Sequence, residues 1–344
     1  VVHDAVQLAT DKRGKRIGGF VNAILRKVAL ERPDDAAPPS FLSVPNWLHD
    51  ALVDSIGLEH VERLLRIDLD APSIDLRVRA GTDRETLAQA ILEGRPQASV
   101  VPTELSPMGL RVAGVGNPRE LPGYAEGLFA VQEEGAQVIG LALGAQPGES
   151  VLDVCAGRGG KTAQLVEAVG DSGTVIASDL HEHRLEQIPG ALRRLRIDPG
   201  RLDSACIDWT LGPGPLQGEF DRVLVDAPCT GLGTLRRRPE ILLRVSPEDA
   251  ARMGEIQRRI LHNAAGMVRT GGSLLYAVCS PLADEGEQVV RETSLPGFEP
   301  VEELGSTLKS LCFESSGELS LGPWLAGAGP WADAYHLYMW VNVG

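Results

Sequence analysis

The sequence predicts an α/β protein: a doubly wound, mostly parallel sheet, preceded by a small α+β module and an N-terminal helical segment. Three observations carry this. From about Val131 the chain alternates short apolar runs with helical stretches, the pattern of βαβ units. A glycine-rich turn, Gly157-Arg158-Gly159-Gly160, joins a buried-type strand to a helix. Asp179, Asp208 and Asp226 close successive strand candidates, where doubly wound sheets bind their ligands.

The elements follow in order. Residues 1 to about 30 read as helical, with Ile17, Phe20, Val21, Ile24, Leu25 and Val28 recurring on one face. Pro33, Pro38 and Pro39 mark a linker rich in Asp, Ala and Pro. A second helical region presents Trp47, Leu48, Leu52, Val53 and Ile56, and continues from Leu58 to Leu65. From Ile74 to about Pro122 the pattern changes to short strands (76–79, 99–101 and 109–112) around one helix at 85–92. Further strands are expected at 150–154, 174–179, 203–207, 222–226 and 273–278, with helices at 161–169, 184–195 and 247–268. The predicted organisation is a helical segment over 1–33, a helical linker with the small module over 34–127, and the main sheet over 128–344.

Composition narrows the class. Hydrophobic residues make up 43% of 344 and charged residues 23%, as in soluble globular proteins. No run of about 18 apolar residues suggests a membrane span, and the N-terminus lacks the basic-then-apolar pattern of a signal peptide. The chain opens without Met in a helical pattern, as a truncated or naturally short first domain would. Five cysteines, none in a CxxC pair, argue against a disulfide framework or a zinc site. A reducing cytoplasm fits free thiols, no metal is expected, and a monomer is the default.

The net charge of −14 counts against a nucleic-acid partner unless positive charge is local. Two clusters qualify. Arg193, Arg194, Arg196 and Arg201 read equally well as solvated helix residues or as phosphate contacts. Arg236-Arg237-Arg238, just behind Cys229, reads as a phosphate-contacting run.

The glycine turn departs from the dinucleotide fingerprint G-x-G-x-x-G, whose third glycine is here Thr162. A loop that holds the amino-acid moiety and ribose of S-adenosylmethionine suits it better. Asp179, twenty residues after Gly159, stands where a ribose-hydroxyl acceptor belongs. Asp208 could accept from the adenine amino group, and Asp226 would lie between cofactor and target. Each Asp alone reads as readily as a helix cap; at successive strand ends beside a glycine loop, the ligand reading prevails for Asp179 and Asp226.

Two cysteines supply the chemistry: Cys229 in Asp226-Ala227-Pro228-Cys229-Thr230-Gly231-Leu232-Gly233, and Cys279 in Tyr276-Ala277-Val278-Cys279-Ser280-Pro281. A cofactor loop followed by two strand-end thiols is what methyl transfer to carbon-5 of a pyrimidine requires. That carbon is a poor nucleophile until a thiolate has added to carbon-6, and a second thiol can help to dismantle the adduct. The base must leave its stack or come from a single strand. Cys206 and Cys312 read as inert core cysteines.

The stretches DVCAGRGGKT, DAPCTGLGTLRRRPE, YAVCSPLADEGEQVV and PGYAEGLFAVQEEGAQV resemble the Fmu/Sun (RsmB-like) RNA cytosine-C5 methyltransferases. Gly19 to Arg26 resembles the last helix of the NusB-like domain that precedes the catalytic part. The resemblance spans nearly the whole chain. It implies a truncated NusB-like segment over 1–33, an RNA-binding module within 34–127 and a Rossmann-like S-adenosylmethionine-dependent methyltransferase domain over 128–344. It further implies that Cys279 is the nucleophile, that Asp226 hydrogen-bonds the base, and that Cys229 assists proton removal or product release. The cofactor would be lined by Cys155, Ala156, Gly157, Arg158, Gly159, Gly160, Lys161, Asp179, Arg184, Asp208 and Asp226. In DNA cytosine methyltransferases the Pro-Cys motif carries the nucleophile instead, so Cys279 points to RNA, with small-subunit ribosomal RNA as the implied substrate.

Four departures from the family pattern stand out: Val278 for Thr, Gly286 for Asn in Glu-Asn-Glu, Ala334-Tyr335-His336 for Gly-Phe-Phe, and Glu133 for Asp. Two alternatives stay open: a C5 methyltransferase acting on tRNA or another substrate, and an inactive RNA-binding ribosome assembly factor.

Overall fold

The computed structural model describes residues 2–31, 41–66, 73–301, 318–323 and 332–344. The expected 33–39 linker and Cys312 lie outside them. The chain divides into two compact units, Val1–Ser40 and Phe41–Gly344.

The first unit holds α1 (Val2–Arg13) and α2 (Lys15–Glu31), packed on each other. The single helix expected here is broken at Gly14, whose φ of +83° ends α1. Gly18 lets the two helices meet, since a Cβ there would lie 1.9 Å from the Thr10 hydroxyl oxygen. Within this unit Ile17, Phe20 and Ile24 are exposed.

The second unit opens with α3 (Asn46–Ile56) and α4 (Leu58–Leu65), turned at Gly57. Leu48, Leu52, Val61 and Leu64 pack against Leu232, Leu235, Ile241 and Leu282. These helices therefore brace the segments that follow Cys229 and Cys279.

The α+β module comprises β1 (Ile74–Val78), α5 (Arg84–Gly94), β2 (Ser99–Pro102), β3 (Gly109–Ala113) and β4 (Phe129–Val131). Its antiparallel sheet has the order β2-β3-β1-β4, and β4 carries it past residue 127 to Val131. Leu76, Leu87, Ile91, Leu110 and Phe129 form its core, and Asp83 caps α5 by accepting from the Thr86 N–H.

The main sheet contains β5 (Ser150–Asp153), β6 (Thr174–Asp179), β7 (Leu202–Cys206), β8 (Phe220–Asp226), β9 (Val268–Val278), β10 (Phe298–Pro300), β11 (Glu318–Leu321) and β12 (Tyr335–Asn342). Its order is β7-β6-β5-β8-β9-β12-β10, with β11 also on β12. Strands β7 to β9 run parallel, and β12 returns antiparallel between β9 and β10. Among the described residues, six helices accompany it: α6 (Glu134–Ala142), α7 (Gly160–Val169), α8 (Glu182–Leu185), α9 (Ile188–Arg194), α10 (Pro247–Ala265) and α11 (Glu287–Glu292). Val138, Leu165 and Leu192 cover one face; Ile260, Leu261 and Ala264 cover the other. This is the doubly wound arrangement the sequence predicts.

Three expected elements differ. The 184–195 helix is two short ones, because Pro189 has no N–H to continue the preceding turn. Helix α10 stops at Ala265, and Val268 already belongs to β9. Cys206 is exposed on β7, where its thiol donates to the Leu180 carbonyl at 3.3 Å. It is no core cysteine, because β7 is an edge strand.

Arg77 of β1 is buried, paired with Glu167 of α7 and donating from Nε to Gln132 at 2.8 Å. It ties the small sheet to the main one. Arg77→Met would leave Glu167 nearly buried without its partner, a loss of about 3–5 kcal/mol. Urea unfolding should show a lower midpoint at an unchanged slope; a midpoint equal to the wild type would show that the pair is no such tie.

Candidate active site

The chain leaves β5 towards β6 and β7 on one side, then returns to β8 and β9 on the other. That reversal opens a crevice at the carboxyl ends of β5 and β8. Beyond β5, Gly157 at φ +56° and Gly159 at φ +81° turn the chain into α7. A Cβ on Gly159 would lie 2.6 Å from Ile188, whereas no atom lies within 4 Å of a Cβ position on Gly157 or Gly160. Gly159 thus serves packing, and the other two leave room for a ligand. Thr162, at the place of the missing third glycine, donates to Asp153 at 2.7 Å. Burial pushes the Asp153 carboxyl up to about 7.

A cavity of about 320 Å³ fills the crevice. Of the expected cofactor residues, Cys155, Gly157, Asp179, Arg184, Asp208 and Asp226 line it; Ala156, Arg158, Gly159, Gly160 and Lys161 do not. Asp179 accepts from the Gly157 N–H at 3.0 Å and the His181 N–H at 2.8 Å, and pairs with Arg184 at 3.5 Å. Asp208 accepts from the Thr210 N–H at 3.0 Å and its hydroxyl at 2.6 Å. Burial holds the Cys155 thiol well above its ordinary range. Ile207, Trp209, Pro228, Ile256 and Ile260 supply an apolar wall that sequence patterning did not single out.

Asp179, Asp208 and Asp226 outnumber the Arg184 guanidinium and the Lys161 ammonium paired with Asp226, which favours a cation here and disfavours a pyrophosphate. S-adenosylmethionine, with its sulfonium and ammonium charges, fits this acidic cavity and the open space over Gly157 and Gly160. Asp179→Ala removes the group that braces the loop from two N–H donors. Cofactor affinity should fall about 10–100-fold, since bonds to a charged group contribute about 1.5–3 kcal/mol. Calorimetric titration would read this directly; an unchanged dissociation constant would remove Asp179 from the binding site.

Next to the cavity the two key thiols meet, with Sγ of Cys229 and Sγ of Cys279 3.1 Å apart and both free. Cys279 follows β9 and Cys229 lies three residues past the end of β8. The Ala227 N–H donates to the Ala277 carbonyl at 2.9 Å, and the Gly233 N–H to the Cys279 carbonyl at 3.0 Å. Lys161 turns from the glycine loop to pair with Asp226 at 2.7 Å. Burial works to lower the Lys161 pKa, but Asp226 outweighs it and Cys279 adds to the same effect, so the ammonium is held charged. The hydrogen bond to Cys279 raises the Cys229 pKa well above the usual thiol range; burial and Glu285 add to this. The two thiols and the Lys161–Asp226 pair therefore lie close together beyond the carboxyl ends of β8 and β9.

Other arginines serve the fold. Arg237 pairs with buried Asp333 through both Nε and Nη2 and so is committed to a carboxylate, whereas the Arg238–Glu240 pair at 3.2 Å is exposed. Arg194 lies 4.2 Å over the Tyr124 ring and donates to the Tyr124 and Phe129 carbonyls; Arg201 pairs with Asp171.

The departures from the family pattern meet in pairs. The Tyr335 hydroxyl donates to Glu133 at 3.0 Å. Burial, then Asp333, pushes Glu133 up to about 7. A Cβ on Gly286 would lie 3.1 Å from the His336 ring, so these two departures are neighbours in the fold.

The profile of the 16S rRNA methyltransferase RsmB/F family matches residues 140–299. A probable ribosomal RNA small subunit methyltransferase B of Bacillus subtilis is 32% identical over 317 residues, spanning 87% of this chain and 68% of that protein. Ribosomal RNA small subunit methyltransferase B of Vibrio cholerae is 34% identical over 298 residues, spanning 84% and 67%. The chain thus spans about two thirds of the length of these relatives. Among solved structures, NSun6 from Pyrococcus horikoshii with SFG superposes with a TM-score of 0.71 at 18% identity, covering 87% of this chain and 98% of that one, a likeness of fold. With the same fold, and with a third of its residues shared along most of its length, the chain belongs to the RsmB/F family of 16S rRNA methyltransferases.

Proposed function

We propose that this chain transfers a methyl group from S-adenosylmethionine to carbon-5 of a cytosine in small-subunit ribosomal RNA, through a covalent adduct on Cys279. The observation that carries this is the thiol pair, 3.1 Å apart, near the Lys161–Asp226 pair, with Asp226 and Pro228 of the Cys229 segment lining the acidic cavity. The names of the relatives support ribosomal RNA as the substrate. The free thiols suit a reducing cytoplasm, and among the described residues no helix is long and apolar enough to cross a membrane.

In this reading the Cys279 thiolate adds to carbon-6, and the electron pair of the 5,6 double bond moves into the ring. Asp226, held by Lys161, hydrogen-bonds the base and steadies the charge that develops there. Bound in the adjoining cavity by Asp179 and Asp208, S-adenosylmethionine would supply an electrophilic methyl group to carbon-5, its sulfur–methyl bond breaking to leave the neutral thioether. The carbon-5 proton is then lost to a base from solvent; the electron pair left behind restores the double bond as the carbon–sulfur bond breaks, and Cys229, as a neutral thiol, assists release by hydrogen-bonding the departing Cys279 thiolate. Asp179 and Asp208 hold the cofactor, and the glycine loop lets it approach.

Methyl-labelled cofactor and unmodified small-subunit RNA should give label that elutes as 5-methylcytidine after nuclease digestion. Label in another nucleoside, or in tRNA alone, would contradict the reaction or the substrate respectively.

A further inference from the structure

The most completely tied buried carboxylate near the thiols is one the reaction scheme leaves unused. Glu285 lies in the loop after Cys279 and is fully buried. Its Oε2 accepts from the Thr230 N–H at 2.8 Å and from Gln257 Nε2 at 3.2 Å, and its Oε1 accepts from the Thr230 hydroxyl at 2.5 Å. Gln257, on α10 and also fully buried, donates to the Pro228 carbonyl at 2.8 Å as well. The residues on either side of Cys229 are therefore both held, one by Gln257 and the other by Glu285.

The other end of Glu285 is tied to the strand that carries Cys279. Its carbonyl accepts from the Tyr276 hydroxyl at 2.6 Å, and its N–H donates to the Leu282 carbonyl at 3.1 Å. One residue thus links the Cys229 turn to the β9 end. The charges around the two thiols differ as well. Lys161 is paired with Asp226 at 2.7 Å, whereas Glu285 is hydrogen-bonded to Thr230, next to Cys229 in the chain. Beyond Cys229 a cavity of about 190 Å³ is bordered by Arg244, Asp249 and Arg252; Arg252 is already paired with Asp249.

We propose that Glu285 is a positioning residue that ties the Cys229 turn to the β9 end, sets the two thiols at their working distance and places a buried carboxylate on the Cys229 side. The inference rests on the two-cysteine reaction for its consequence, but not for its test. A buried carboxylate beside Cys229 opposes a second negative charge, and the bonds from Thr230 and Gln257 keep that carboxylate in place. Removing the charge while keeping the shape should therefore free Cys229 to ionise.

The test compares wild type with Glu285→Gln, Thr230→Val and Thr230→Ser, using iodoacetamide labelling of each cysteine read by mass spectrometry, without RNA. In Glu285→Gln, Cys229 should alkylate severalfold faster with Cys279 unchanged. Turnover on RNA should fall about 10–100-fold, with KM for RNA little altered. Thr230→Val keeps the volume and the charge but loses one bond to the carboxylate. It should lower turnover with Cys229 still slow to alkylate, and Thr230→Ser should restore the rate. This pair also decides the matter if Glu285→Gln does not fold. An unchanged Cys229 labelling rate in folded Glu285→Gln, or wild-type turnover by Thr230→Val, would overturn the proposal. Faster Cys229 labelling in Glu285→Gln with no RNA methylation by wild type would instead keep the thiol asymmetry and refute the proposed reaction.

Discussion

Cys279→Ala is expected to abolish methyl transfer, lowering the single-turnover rate by about 10⁴-fold or more, the scale on which loss of a covalent nucleophile acts. No neighbouring group can replace it. Cys229 lies 3.1 Å from the lost sulfur, and although its hydrogen bond to Cys279 goes with that sulfur, burial and Glu285 still favour its neutral form. Cys279 does not border the cofactor cavity, so cofactor affinity should stay at the wild-type value. A variant that retains more than about a hundredth of the wild-type rate, well above the loss expected for a nucleophile, would remove Cys279 from that role.

Asp226→Ala is expected to have the second largest effect, and a different signature. Asp226 borders the cofactor cavity and also pairs with Lys161, so both affinity and turnover should fall. Turnover should drop about 10³-fold, as for loss of one preorganised group at developing charge. The pH dependence has a definite sign. With Asp226 present, its attraction outweighs burial and Lys161 stays protonated well into the alkaline range. Without it burial prevails, the ammonium loses its proton more readily, and the residual rate should decline at a lower pH than in wild type. A rate profile with the same alkaline limit in both proteins would show that the pair does not set the charge at this site.

Much of this architecture is written locally in the chain. The runs that become β5, β6 and β8 are apolar and short, and the glycine turn and the aspartates at or just past their ends mark the crevice, because strand-end chemistry leaves a local signature. Contacts between distant segments are not legible in this way. Glu285 and Gln257 read as ordinary polar residues; only the Thr230 and Pro228 groups brought from another loop explain their burial. Arg237 looks free for phosphate until Asp333, ninety-six residues on, arrives beside it. Strand β12 is not legible in the sequence, since an antiparallel return between β9 and β10 has no marker in the parallel βαβ rhythm that precedes it. Cys206 misled because edge and central strands differ in their neighbours rather than in their own residues.

The covalent two-thiol mechanism is tested most directly by Cys229→Ala incubated with substrate RNA and cofactor, then run on a denaturing gel. The account predicts a protein–RNA species that survives denaturation, because Cys279 adds to the base while the thiol that helps to release it is gone. The species should disappear in the Cys229→Ala/Cys279→Ala double variant. Normal product release by Cys229→Ala with no such species, or a species that persists in the double variant, would contradict it.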